Sequence, residues 1–114
     1  MEKRLERVLV VEDNLLVNQL LGDMVQSLGF AVTTAFSLEQ ARRALAETSF
    51  HCLLTDINLG NEPSGLRLVG EALNRGASRV VLISGHPKPG DLGADVAFLA
   101  KPFTISQLQQ AFEA

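Results

Sequence analysis

The chain contains one cysteine, no run of apolar residues long enough to cross a membrane, and only one short basic cluster. A single thiol cannot close an internal disulfide, so a reducing compartment suffices. Cys52 sits inside the apolar run HCLLT and reads as a small buried hydrophobe rather than a nucleophile or ligand. No stretch approaches the roughly 18 apolar residues of a membrane span, and the first residues carry no signal-type apolar segment. A cytoplasmic protein without membrane contact is expected. The basic cluster, KRLER at positions 3–7, is diluted by Glu2 and Glu6, and the net charge is -3. Binding to nucleic acid needs clustered Lys and Arg to neutralise phosphates, so no nucleic-acid partner is expected. Linkers, internal repeats and low-complexity segments are absent as well.

What is present fits one folded domain spanning residues 1–114: 46% of the residues are apolar and 20% charged, and a chain of this length can bury roughly two thirds of its unfolded surface in a single core. Short apolar runs recur at 8–11 (VLVV), 30–35 (FAVTTA), 51–55 (HCLLT), 79–84 (RVVLIS) and 96–100 (VAFLA), with helical periodicity between most of them. That alternation calls for an α/β fold whose parallel sheet is covered on both faces. Val17, Leu20, Leu21, Met24, Val25 and Leu28 mark the buried stripe of a first helix ending at Gly29. Ser37 with Gln40, and Thr104 with Gln107, have the spacing of capping boxes and open the second and last helices. Leu66, Val69 and Leu73 give a third stripe, ended near Gly76. HPKPGDLGAD at 86–95 holds two prolines and two glycines, which leaves room for one helical turn at most.

Ligands of an open parallel sheet bind beyond the carboxyl ends of its strands. Four of the five runs end in a reactive polar group: Glu12 and Asp13 after the first, Asp56 after the third, Ser84 after the fourth and Lys101 after the fifth. The second has nothing comparable, as befits an edge strand. Two charges about 4 Å apart repel by about 4 kcal/mol at an effective dielectric near 20, so three converging carboxylates would partly protonate unless a cation sat among them. A hard divalent ion such as Mg2+ resolves this, being held by one or two carboxylates together with phosphate oxygens. A carboxylate can also act as a phosphoryl acceptor.

In order and spacing, VLVVEDN, LLTDINL, VVLISG and FLAKPF resemble the four signature segments of the receiver domain of two-component response regulators, and the likeness covers essentially the whole chain. The resemblance implies a flavodoxin-like (βα)5 fold, a doubly wound five-stranded parallel sheet of order 2-1-3-4-5. It implies Asp56 as phosphoacceptor, with Ser84 contacting the phosphoryl group and Lys101 pairing with it. Glu12, Asp13, Asp56 and the backbone carbonyl of Asn58 would hold Mg2+. The bond from Lys101 to Pro102 would be cis, and Phe98 occupies the place of the family's aromatic switch beside Ser84. The donor would be a sensor histidine kinase or a histidine phosphotransfer protein, and the domain would be a switch acting on a downstream protein rather than a metabolic enzyme, with a homodimer as one possible state. Either a stand-alone regulator or the receiver segment of a hybrid histidine kinase satisfies the sequence.

Two departures stand out. Only 17 positions separate Ser84 from Lys101, fewer than is usual in the family, so its fourth helix should be a stub or missing and its usual output face incomplete. Partner contacts are then expected nearer the first helix or the flank of the last. In DINLGNEPSGL the family's usual proline is Gly60, and the glycine opening the third helix, Gly65, comes about one residue late.

Each residue also has a plain reading. Asp13 with Asn14 could cap the first helix, Asp56 and Ser84 could be turn residues, Lys101 a solvated lysine and Phe98 ordinary core. His51 and His86 lack metal-ligand spacing, and Arg42 and Arg43 suit a solvated helix face. Other function classes fit less well. A cofactor binder of the flavodoxin kind presents N–H groups to a phosphate at its first loop, where Glu12 and Asp13 would repel it. A phosphatase of the haloacid dehalogenase type needs a second acid two residues after its nucleophile, and that position is Asn58. A receiver fold kept only as an interaction module would normally have lost an acid or the lysine.

Overall fold

The computed structural model describes residues 5–60 and 62–113. Lys3 and Arg4 of the basic cluster lie outside that range. Five strands, β1 (Arg7–Val11), β2 (Ala31–Ala35), β3 (Cys52–Asp56), β4 (Arg79–Ser84) and β5 (Val96–Ala100), form one parallel sheet of order β2-β1-β3-β4-β5. This is the doubly wound order expected. Four α-helices accompany it: α1 (Leu15–Ser27), α2 (Leu38–Glu47), α3 (Leu68–Asn74) and α4 (Ile105–Glu113), with a 3-10 turn at Ser64–Arg67 leading into α3.

The central strands are continuous apolar runs because both of their faces are covered. In β1, Val8 to Val11 are wholly buried; Leu9 and Val11 pack with α2 and α3, whereas Val8 and Val10 pack with α1 and α4. Cys52 and Leu54 of β3 face the second of these cores, and Leu53 the first. Among the described residues no helix is long and apolar enough to cross a membrane.

The helix ends follow their local chemistry. The Thr104 N–H donates to Gln107 Oε1 at 2.8 Å and the Gln107 N–H to Thr104 Oγ1 at 3.1 Å, a complete reciprocal cap. At α2 the Gln40 N–H donates to Ser37 Oγ, but Gln40 Oε1 accepts from Phe36 rather than from Ser37. Gly29 and Gly76 terminate α1 and α3 with φ of 98° and 99°, a conformation that favours glycine.

Two buried stripes differ from expectation. Leu20 is 59% exposed, because the inward arc of α1 is centred on Asn18, Leu21 and Val25 and Leu20 falls on its rim. In α3 the fully buried residues are Leu68 and Ala72, with Leu66, Val69 and Leu73 only half-buried. The 3-10 turn winds at three residues per turn and shifts the phase of the helix that follows. Between β4 and β5, residues 85–95 contain no helix, so the fourth helix of a five-helix fold is missing altogether. Leu92 of that segment packs against the same core as Val96 and Phe98.

Candidate functional site

The carboxyl ends of β1, β3, β4 and β5 meet at one end of the sheet. Glu12 follows β1 directly and its N–H bonds to the Ala35 carbonyl at 3.1 Å, which carries the β1–β2 pairing one step past the strand. Its side chain is buried, with Oε2 accepting from the Asn14 N–H at 3.0 Å and Oε1 lying 3.2 Å from Lys101 Nζ. Asp56, the last residue of β3, is also buried. Its Oδ1 accepts from the Asn58 N–H at 2.9 Å, and its Oδ2 receives Lys101 Nζ at 2.6 Å. One ammonium thus bridges two buried carboxylates from different strands.

Asp13 stands apart from that bridge. It is exposed, and its Oδ2 accepts from the Gly60 N–H at 2.8 Å, joining the turn after β1 to the loop after β3. The α1 cap is Asn14, whose Oδ1 accepts from the Val17 N–H. Ser84 is buried at the end of β4; its Oγ accepts from the His86 N–H and its carbonyl from the Lys101 N–H. The bond between Lys101 and Pro102 is cis. Phe98 lies half-buried on the α2 and α3 side of the sheet, within the cluster that includes Leu9 and Leu82. Glu12, Asp56 and Lys101 are therefore in direct contact, Asn58 touches Asp56 through its N–H, and Asp13, Ser84 and Phe98 bond or pack with neighbouring segments.

The electrostatics follow from burial and charge. Burial pushes the Glu12 carboxyl up to about 7, and the neighbouring Asp13 and Asp56 carboxyls add to this, against the Asn14 N–H and Lys101. Asp13 also feels burial, but the neighbouring Glu12 carboxyl and the hydrogen bond that Asp13 accepts from the Gly60 N–H outweigh it and hold the carboxyl below its ordinary value. Burial works against charge on Lys101, yet the hydrogen bond and charge of Asp56, reinforced by Glu12, raise it above its usual value. Burial raises the Cys52 thiol to about 11, which suits a packing residue.

Among the described residues no three His, Cys, Asp or Glu side chains are gathered closely enough to enclose a cation by themselves. The donor set is nevertheless one of hard oxygens, and a carboxyl raised to about 7 is a group that takes up either a proton or a metal ion. An octahedral ion that keeps most of its waters needs only one or two such carboxylates.

Two features of the site escaped sequence reasoning. Asn18 is 2% exposed in the middle of the apolar stripe of α1, and its Nδ2 donates to the carbonyls of both Glu12 and Ala35 at 3.0 Å. A polar residue at the centre of an otherwise apolar helix face was the signal available. Gly65 passes so close to the end of β3 that a Cβ there would stand 2.0 Å from the Asp56 carbonyl oxygen and 2.9 Å from that of Ile57. Its N–H donates to the same Ile57 carbonyl at 2.8 Å.

The profile of the family described as the response regulator receiver domain matches residues 8–113. A probable chemotaxis protein CheY of Rhizobium etli is 29% identical over 117 residues, covering 95% of this chain and 90% of that one. A response regulator receiver protein of Sinorhizobium medicae superposes with a TM-score of 0.86 at 25% identity, covering 96% of this chain and 92% of the other. A response regulator of Burkholderia pseudomallei superposes with a TM-score of 0.81 at 26% identity, over 94% of this chain and 66% of that one. That structure contains a phosphorylated aspartic acid, a calcium ion and citrate.

Proposed function

Because this chain belongs to the family of response regulator receiver domains, we propose that it accepts a phosphoryl group on Asp56 and relays a signal by the resulting change of state. The observation that carries the reading is the 2.6 Å contact between Lys101 Nζ and Asp56 Oδ2, which sets a cation directly against a buried carboxyl group at the end of β3. The donor is the phosphohistidine of a sensor histidine kinase or a phosphotransfer protein. One Asp56 carboxylate oxygen forms a bond to phosphorus as the bond from phosphorus to the imidazole nitrogen breaks, its electron pair leaving with the ring. Asn58 orients the carboxylate through its N–H to Oδ1. Lys101 pairs with the added charge, and the Ser84 hydroxyl supplies a hydrogen bond to a phosphoryl oxygen.

Mg2+ is the cofactor that suits Glu12, Asp13, Asp56 and the Asn58 carbonyl, and it would neutralise charge on the transferring phosphoryl oxygens. That the Burkholderia relative contains a calcium ion together with a phosphorylated aspartic acid supports a divalent cation as the partner of this chemistry. The donor's docking ground is the outer face of α1, where Leu16 and Leu20 are 80% and 59% exposed beside a groove formed with Pro102 and Phe103. A phosphoryl group adds about -1.5 to -2 charges and three acceptor oxygens; drawing Ser84 towards them shifts the segment after β4, and Phe98 responds to the space it leaves. Such a domain works in the cytoplasm, passing its state to a downstream protein or to a second copy of itself.

Acetyl phosphate with Mg2+ tests this. Intact-mass spectrometry should record one added phosphoryl group, absent without Mg2+ and absent in Asp56→Asn. Undiminished labelling of Asp56→Asn would overturn the assignment.

A further inference from the structure

We propose that Asn18 is a positioning residue for the acidic turn, fixing the peptide between Glu12 and Asp13 in the orientation that the divalent cation requires. The purpose of this arrangement rests on the functional reading above, but its geometry stands alone. Asn18 lies one turn inside α1, at the position on the stripe where Leu21 and Val25 above it are both buried. An apolar residue there would need no partner. A buried amide must be hydrogen-bonded to be tolerated, and Asn18 has two strand-end carbonyls as partners, those of Glu12 and Ala35.

Those two bonds act on one place. The Ala35 carbonyl already accepts from the Glu12 N–H at 3.1 Å, so Asn18 adds a second donor to it and, with the same nitrogen, grips the carbonyl of Glu12 itself. Glu12 is then held through its N–H, its carbonyl and both carboxyl oxygens. The Glu12 carbonyl shares its peptide plane with the Asp13 N–H. Fixing that plane fixes the direction in which Asp13 leaves the backbone, towards the loop after β3, where its carboxylate meets Gly60. Without the amide the turn keeps its sequence and charge, but the peptide is free to rotate and the two acids lose their common orientation.

Asn18→Leu tests the inference, because leucine continues the apolar stripe while removing both bonds. Isothermal titration of the full chain with MgCl2 alone, without phosphodonor, should show affinity weakened about tenfold or more, the size expected when a residue supporting metal ligands is lost. Phosphorylation by acetyl phosphate should then need more Mg2+ for half-maximal rate while approaching the wild-type rate at saturating Mg2+. A merely structural role would lower the unfolding midpoint and leave the Mg2+ titration unchanged; that result overturns the proposal. If Asn18→Leu fails to fold, Asn18→Ala gives the same comparison with less volume to accommodate. A wild-type chain that binds Mg2+ but takes no phosphoryl group would overturn the functional reading and leave the Asn18 comparison decisive on Mg2+ affinity.

Discussion

Lys101 Nζ lies 2.6 Å from Asp56 Oδ2 although β4 separates their strands in the sheet. The lysine follows directly on the edge strand β5, and its side chain reaches back past the end of β4 to Asp56. Its side chain is about one third exposed, and the ammonium serves Asp56 and Glu12 together. Removing it should leave two buried carboxylates facing each other. Lys101→Met is expected to cost about 1–3 kcal/mol at pH 8, below the figure for a fully buried pair because of solvent access. The cost should shrink near pH 5, where Glu12 is protonated. Urea unfolding at the two pH values measures it, and an equal loss at both would show that the ammonium matters through packing alone.

Glu12 makes a pH prediction of its own. Its folded carboxyl is raised to about 7 from an ordinary 4.5, so the folded chain holds this proton more tightly than the unfolded one. Stability from that proton is fully present below pH 4.5 and is lost as pH rises through about 7. The loss is bounded at about 3 kcal/mol. Unfolding of the metal-free protein between pH 4.5 and 8 should therefore show a decline that Glu12→Gln flattens and added Mg2+ reverses at the upper end. A wild-type profile parallel to that of Glu12→Gln would show that the buried carboxyl does not titrate in this range.

The sheet order and the strand-end residues were legible because buried parallel strands are apolar throughout and change abruptly to polar residues where they end: VLVV to Glu12, CLLT to Asp56, VVLI to Ser84. The missing helix was legible from the prolines and glycines of 86–95. Periodicity misplaced the α3 stripe because it assumes 3.6 residues per turn from Leu66 onward, whereas the chain makes a 3-10 turn through Arg67. It also passed over Asn18, since a template of apolar positions has no slot for a polar residue whose partners are carbonyls on two strands. The bond from Gly60 to Asp13 joins positions 47 apart and has no local signature.

Gly65 and Gly70 form a matched pair of tests. A Cβ at Gly65 would overlap the backbone carbonyl of Asp56, and backbone cannot move aside as a flexible side chain can. Gly65→Ala should destabilise by about 3 kcal/mol and slow phosphorylation by displacing Asp56. Gly70 lies within α3, and a methyl group added there would meet nothing within 4 Å, so Gly70→Ala should stabilise by about 1 kcal/mol. Thermal unfolding of the two variants decides the matter, and a harmless Gly65→Ala would mean that the loop after β3 is freer than its contacts imply.

Ser84 ties the site to the segment without a helix. Its buried hydroxyl accepts from the His86 N–H at 2.9 Å, so the first turn after β4 is anchored to an oxygen that the proposed mechanism turns towards the phosphoryl group. Beyond that anchor, residues 87–91 are exposed and outside any strand or helix, and exposed backbone of this kind exchanges its amide hydrogens readily. Hydrogen exchange should find the amides of Lys88, Gly90 and Asp91 fast and those of Val80–Ile83 slow in the unmodified protein, with protection over 86–95 changing once acetyl phosphate and Mg2+ are present. Ser84→Ala removes the anchor without adding bulk. It should still accept a phosphoryl group, at a rate lowered on the order of tenfold, since one hydrogen bond to a charged group contributes about 1.5 kcal/mol. The phosphorylation-dependent change in exchange over 86–95 should largely disappear in it. If that change persists undiminished in Ser84→Ala, the hydroxyl is not the link between the phosphoryl group and this segment, and the signal leaves the site through Lys101 and β5 instead.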